Sequence, residues 1–285
     1  MRAPGGLRCR VPFFLECCVP EAGEVLDLAW RVWGRSPPQV LLIHGLGDGA
    51  CVWSPVIRLL GERFGGFVVD LRGHGDSPHD PMQRYGLRQL AADVEAVVRR
   101  QSPADLVIVG HSLGAEVGIE LASALGPRAR GLVLVDGGPE MDVQTARAIH
   151  DSLRLMPRHF DSAFELASLL AERHPLAEER LLVEYAHGSL RPAPNRDGFE
   201  LKADPHFERG MRVYDSGALR QKLLLTTCRK LLIRGAVSAV WRQPATTALA
   251  RELGCSVQTV PRAGHAIALE NPAALAGLLL EFVAA

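Results

Sequence analysis

The sequence predicts an α/β protein, a mostly parallel, doubly wound sheet of eight strands interrupted by an inserted helical cap. Three observations carry this. Short apolar runs alternate with stretches of helical period over residues 39 to 135 and again over 231 to 285, the rhythm of strands joined by crossover helices. Several of those runs stop at glycine-rich polar loops, which places the functional loops at the carboxyl ends of the strands. Between 140 and 227 the rhythm breaks: helix-like pieces follow one another, and no buried strand separates them.

Taken in order, Phe13 to Val19 and Val25 to Trp33 are β-type runs on either side of Pro20-Glu21-Ala22-Gly23-Glu24, which predicts an N-terminal hairpin. Gln39 to Ile43 is a buried strand ending in His44-Gly45-Leu46-Gly47-Asp48-Gly49, and Trp53 to Phe64 reads as a helix. Gly66 to Leu71 is the next strand, ending in Arg72-Gly73-His74-Gly75-Asp76-Ser77. Leu87, Leu90, Ala91, Val94, Val97 and Val98 recur at helical spacing up to about Arg100. Leu106 to Val109 is a strand, Leu113 to Leu125 a helix, and Gly131 to Val135 a strand ending at Asp136-Gly137-Gly138-Pro139. Helical pieces over Val143 to Leu155, Ala163 to Glu172 and Leu176 to Ala186, then a turn-rich span from Arg191 to Pro205, make the insertion. Leu231 to Arg234 restores the sheet, Pro244 to Leu253 is a helix, and Ser256 to Val260 is the last strand, leading to Gly264-His265. Asn271-Pro272 caps the closing helix.

The chain of 285 residues, 47% hydrophobic, is long enough for a full core, and one domain with an insertion is expected: a core of 1–139 and 228–285, and a cap of 140–227. Formal net charge is zero and no basic stripe appears. Nucleic acid and membrane are therefore not expected as partners, and a small-molecule substrate is, with the chain a monomer or homodimer. The N-terminus lacks the apolar core of a signal peptide and no window reaches the ~18 apolar residues of a membrane span, so a cytoplasmic protein is expected. Six cysteines lie without metal or disulfide spacing, and none of the ten histidines forms a recognisable ligand set, so neither a metal nor a cofactor is implied.

The chemistry concentrates at Gly110-His111-Ser112-Leu113-Gly114. A buried strand stops there, a helix begins, and two glycines leave room for a sharp reversal that lifts the Ser112 hydroxyl above the sheet. Ser112 then sits at a helix N-terminus, where free N–H groups can receive developing negative charge.

Together with His44-Gly45-Leu46-Gly47, Arg72-Gly73-His74-Gly75-Asp76-Ser77 and the terminal Gly264-His265, this elbow gives the chain a pattern that resembles the α/β-hydrolase family over nearly its whole length, and so implies the α/β-hydrolase fold. The resemblance implies a nucleophile at Ser112, a general base at His265, and an oxyanion hole at the backbone N–H groups of Leu46 and Leu113. Such a serine needs an imidazole to take its proton, and the tetrahedral oxyanion needs fixed donors. His44 is read as a brace of the oxyanion loop, and His74 and Asp76 as loop-shaping residues.

The third member of the triad departs from the family. The usual place for its aspartate is a few residues beyond Gly235, where this chain reads Ala236-Val237-Ser238-Ala239-Val240, and nothing between Asp215 and Glu252 is acidic. Asp136 is the expected substitute. It ends the preceding strand, about 4.8 Å from its neighbour in such a sheet, and some family members keep their acid there. An aspartate in an Asp-Gly-Gly turn also serves the turn itself. Asp204 and Asp215, in the insertion, are the other carboxylates to consider.

The expected activity is hydrolysis of a carboxylic ester or thioester of small to medium, mainly apolar acyl or aryl character. Carbon–carbon bond hydrolysis, lactone opening and cofactor-free tailoring of metabolites suit the same scaffold. A serine at position 112 sets the chain apart from the dehalogenase and epoxide hydrolase branches, whose nucleophile is an aspartate. The absent loop carboxylate leaves open a weakly active or inactive protein that binds a hydrophobic ligand or a partner protein. Candidate pocket residues are His44, Gly45, His111, Trp53, Met141 and Tyr185.

Overall fold

A computed structural model describes residues 25–139, 143–207 and 215–285. The first arm of the expected hairpin, 13–19, its turn and position 141 lie outside the described residues. Among the described residues, seven strands form the main sheet: β1 (Trp30–Gly34), β2 (Val40–Ile43), β3 (Gly65–Val69), β4 (Leu106–His111), β5 (Ala129–Val135), β9 (Arg229–Gly235) and β10 (Ser256–Val260). Their order is β1-β3-β2-β4-β5-β9-β10, and every pair is parallel except β1 with β3. β2, β3 and β4 are buried at every residue, as the inner strands of a sheet covered on both faces must be.

Helices cover the two faces. One face carries α2 (Leu87–Gln101) and α3 (Leu113–Leu125), whose Leu90, Val94 and Val98 pack in a common cluster with Leu121 and with Leu41, Ile43 and Ile108 of the sheet. The other carries α1 (Ser54–Leu60) and the closing helix Pro272–Ala284, whose Leu275 and Leu279 pack in a cluster with Val56, Val109 and Ile233. The Asn271 side chain accepts from the Ala274 N–H at 3.1 Å, which caps that last helix. The odd and even residues of each strand thus feed two separate cores.

The stretch between β5 and β9 holds α4 (Val143–Arg154), α5 (Ala163–Arg173), α6 (Glu179–Ser189) and α7 (Ser216–Leu225). It also holds a small antiparallel sheet that periodicity did not reveal: β6 (His159–Phe160), β7 (Leu190–Pro192) and β8 (Phe199–Leu201), in the order β6-β8-β7. The expected helices of the insertion are present, and three short strands lie among them. The strands are two or three residues long, too short to display an alternation.

Polar contacts tie this segment down over the carboxyl ends of the strands. Arg58 of α1 forms a bidentate pair with Glu184, the shorter arm to Oε1 and the other 2.9 Å to Oε2. Lys202 reaches Asp76 at 2.7 Å, the Asp204 N–H donates to the Gly73 carbonyl at 2.7 Å, and the Tyr85 hydroxyl donates to the Asp204 carboxylate. Among the described residues, no helix is long and apolar enough to cross a membrane.

Candidate active site

The elbow forms as its glycines require. Ser112 takes φ 52° and ψ −120°, a strained pair for a residue with a side chain, between β4 and the first turn of α3. A Cβ on Gly110 would stand 2.1 Å from the Gly114 carbonyl oxygen, and one on Gly114 would stand 2.3 Å from that of Ile43. Only glycine fits either place, and the reversal is locked in. The Ser112 N–H donates to the Val135 carbonyl at 3.0 Å, and Gly137 packs so closely that a Cβ there would lie 2.5 Å from the Ser112 Cα. The elbow is thereby fastened to the end of β5, where Asp136 begins.

Asp136 is fully buried, with φ 44°. Its own N–H is anchored to the Ile233 carbonyl at 2.7 Å. Oδ1 accepts from the Gly235 N–H at 3.0 Å, and Oδ2 accepts from the Ser238 hydroxyl at 2.5 Å and from Nδ1 of His265 at 2.7 Å. β9 lies between β5 and β10, so the carboxylate reaches across one strand to meet the loop that follows the last. Asp204 and Asp215 are engaged elsewhere, the first with Tyr85 and the second as the N-cap of α7, accepting from Ala218 at 3.1 Å. Ser238 was not singled out by sequence reasoning. It is the one hydrogen-bonding side chain in the loop that lacks the expected carboxylate, and that is the signal the sequence carries for it.

Because a carboxylate only accepts, the Asp136 contact puts the His265 proton on Nδ1 and leaves the lone pair on Nε2. The side chain of His265 is 29% exposed, so this nitrogen is not sealed in the core. The loop is firm. Gly264 N–H donates to Glu270 Oε2 at 2.6 Å, and the ring of His111, next to Ser112 in the chain, lies 4.7 Å from the His265 ring.

The loop over Gly45–Gly47 is braced by two histidines, each held as a neutral ring between main-chain groups. His44 is fully buried, its Nδ1 donating to the Gly45 carbonyl at 2.7 Å and its Nε2 accepting from Leu71 N–H at 2.9 Å. His74 repeats the arrangement, with Nδ1 to the Arg72 carbonyl at 3.0 Å and Nε2 accepting from Gly47 N–H at 3.0 Å. Burial pushes the pKa of His44 down, and that of His74 to about 3. A Cβ on Gly45 would stand 3.2 Å from the Ser112 Cβ, so the Gly45-Leu46 turn runs beside the serine. The Leu113 N–H, in the first turn of α3, has no intrahelical acceptor, as at any helix start. The arrangement brings Ser112, Leu113, Asp136, His265, Gly45 and Leu46 into one place.

A cavity of about 210 Å³ lies beneath the inserted segment, lined chiefly by Leu46, Leu153, Met156, Leu166, Tyr185 and Phe207, with Arg154 and Arg158 among its polar groups. It meets the site at Leu46 and Gly47, while Ser112 and His265 are not part of its wall. Of the expected pocket residues Tyr185 lines it, and Met141 lies outside the described residues. The others are corrected. Trp53 is fully buried in the core beside Val56 and Ile57, and His44, Gly45 and His111 are buried and do not line the cavity. An aromatic side chain next to a loop looks the same in sequence whether it packs inward or lines a pocket. Among the described residues, no group of three or more His, Cys, Asp or Glu side chains is arranged to hold a metal ion.

Similarity to known proteins fits this geometry. Over 140 residues the chain is 29% identical to the 2-(acetamidomethylene)succinate hydrolase of Mesorhizobium japonicum, a match covering 49% of this chain and 50% of that protein. Over 120 residues it is 34% identical to the putative carbamate hydrolase RutD of Azorhizobium caulinodans, covering 42% and 44% respectively. The matched part thus spans about half the length of the curated relatives or less. The crystal structure of E-2-(acetamidomethylene)succinate hydrolase superposes with a TM-score of 0.81 at 25% identity, over 90% of this chain and 95% of that one. The thioesterase domain from the curacin biosynthetic pathway has a TM-score of 0.78 at 24% identity, over 93% and 99%, a likeness of fold. With the alpha/beta hydrolase family model matching residues 40–278, the chain belongs to the alpha/beta hydrolase family.

Proposed function

We propose that this chain is a serine hydrolase that cleaves a carboxylic ester or thioester through an acyl-enzyme on Ser112. The observation that carries the reading is the 2.7 Å contact from His265 Nδ1 to a buried Asp136 held by two further donors, which leaves Nε2 unprotonated to act as a base. His265 takes the Ser112 proton as Oγ adds to the carbonyl carbon. The N–H groups of Leu46 and Leu113 receive the oxyanion. As the tetrahedral intermediate collapses, the same proton goes to the departing alcohol or thiol. Water, deprotonated in turn by His265, then adds to the acyl-enzyme and releases the acid. In this reading residues 140–227 form a cap whose cavity receives the acyl or aryl part of a mainly apolar substrate.

The test is a fluorophosphonate probe, which labels only an activated serine. Labelling confined to Ser112 and lost in Ser112→Ala is expected. A native protein that stays unlabelled would overturn the enzymatic reading in favour of a ligand-binding role.

A second reading of the substrate rests on the two arginines of the cavity. Arg158 donates to the carbonyls of Leu201 and Ala203, while Arg154 is exposed at the end of α4. A guanidinium there suits a substrate bearing a carboxylate. The named substrate of the succinate hydrolase relative is of that kind, and carbamate and thioester hydrolysis also occur among the names of the similar proteins. Turnover of paired esters with and without a distal carboxylate separates the two readings.

A further inference from the structure

We propose that His111 is a positioning residue for the base: its ring, clamped between the Asp48 carboxylate and the main-chain carbonyl of His265, fixes the loop that presents His265 to Ser112. This rests on the reading of Ser112 and His265 as an acyl-transfer pair. His111 is 5% exposed, and its Nε2 lies 2.9 Å from the His265 carbonyl oxygen. A carbonyl only accepts, so Nε2 carries a proton. The other nitrogen, Nδ1, faces Oδ2 of Asp48 at 3.7 Å, beyond hydrogen-bond range. A lone pair turned toward an anion in a buried site is unfavourable, whereas a second proton makes the contact an ion pair.

Burial alone disfavours the charged ring, but Asp48, with Asp136 and the His265 carbonyl, more than offsets it and lifts the pKa above the ordinary 6.5. The reciprocal effect holds the Asp48 carboxyl well below the usual carboxylate range despite its partial burial. The charged and titratable groups about this ring are Asp48, Asp136, His265, His44 and, through Asp48, Tyr185.

Asp48 is itself held from above. The Tyr185 hydroxyl, on α6 of the inserted segment, donates to Asp48 Oδ1 at 2.6 Å. A series of polar contacts therefore runs from the inserted segment, through the Gly45–Gly49 loop, to the backbone of the base: a hydrogen bond from Tyr185 to Asp48, the charge contact of Asp48 with His111, and a hydrogen bond from His111 to His265. His111 touches no reacting atom in this scheme. Its work is orientation, and losing it should disturb turnover more than substrate binding.

The experiment compares His111→Ala with His111→Gln, whose amide N–H can stand where Nε2–H stood, on an ester that the unaltered enzyme hydrolyses. For His111→Ala we expect kcat to fall about 10-fold, the scale of one buried hydrogen bond, with KM within about twofold, and for His111→Gln most of the loss to be restored. Nitrogen NMR of the intact protein gives a second readout that needs neither variant nor activity. Both ring nitrogens of His111 should remain protonated above pH 6.5, and Asp48→Asn should release one proton. Unchanged kcat in His111→Ala, a glutamine variant no better than alanine, or a neutral ring overturns the proposal. If His111→Ala fails to fold, the glutamine variant and the NMR decide. Absence of any esterase activity defeats the proposed function, and a neutral ring defeats this inference, so the two failures are distinguishable.

Discussion

The loops at the carboxyl ends of the strands divide into two halves that use histidine in opposite ways. Beyond β4, β5, β9 and β10, His265 meets a carboxylate, so one nitrogen donates and the other has no hydrogen-bond partner among the described residues. Beyond β2 and β3, both nitrogens of His44 and of His74 are committed to main-chain groups, a carbonyl on Nδ1 and an N–H on Nε2. The residue type is the same, and only the partners differ. A ring between two backbone groups is a fixed neutral strut, well suited to holding the Gly45–Gly47 loop in place. A ring against a carboxylate can gain a proton on its other side and lose it again. His111 stands between the halves, with a carbonyl on one nitrogen and a carboxylate beyond the other.

If the carboxylate is what separates the halves, removing its charge should cost the most. Asp136→Asn is expected to lower kcat by about 10⁴, the scale seen when the aspartate of a serine triad is disabled, with Ser112 still in place. Steady-state kinetics on any ester turned over by the unaltered protein would show it. A loss under tenfold would mean that His265 needs no acid partner and that Asp136 serves only its turn. The serine behind the carboxylate should matter less. Ser238→Ala removes the 2.5 Å donor from Asp136 Oδ2 but leaves Gly235 N–H and His265 in place, so kcat should fall about 10-fold, as for one hydrogen bond to a charged group. A drop as large as that of Asp136→Asn would show instead that the hydroxyl orients the whole carboxylate.

Those two residues also mark how far the sequence could be read. The inner strands were legible because a strand covered on both faces is a continuous apolar run, and the elbow because two glycines bracket a serine between strand and helix. Asp136 was marked as a candidate by the missing carboxylate in Ala236–Val240 together with expected strand adjacency. Ser238 was not, because its hydroxyl gains meaning only from a carboxylate 102 positions away. The same holds for Asp48, one polar residue in a glycine-rich loop until α6 brings Tyr185 onto it. Trp53 was misplaced into the pocket since bulk and hydrophobicity say nothing of direction, and β6 to β8 are too brief to leave a period. What remained hidden was set by tertiary pairing, beyond any local window.

The neutral half can be tested without a substrate, through stability alone. With its pKa pushed from 6.5 to about 3 by burial, His74 in the fold resists protonation that the unfolded chain accepts. Its contribution is complete above pH 6.5 and is lost as pH falls from there toward 3, and His44 acts with the same sign. His111, its pKa raised, acts with the opposite sign: its contribution is complete below 6.5 and is lost as pH rises through the raised value. Asp48 adds its own loss only as pH falls into the ordinary carboxylate range and below, and the raised pKa of Asp93 contributes equally to the native protein and to His74→Gln. Each buried neutral histidine adds a slope of up to about 1.4 kcal/mol per pH unit between pH 6 and 4.5. In His74→Gln the amide oxygen takes the place of Nε2 as acceptor for Gly47 N–H and cannot titrate. Urea midpoints between pH 6 and 4.5 should therefore fall less steeply in the variant, by about one proton's worth of slope. Parallel curves would mean that His74 charges readily in the fold and that a neutral brace of the Gly45–Gly47 loop is not its role.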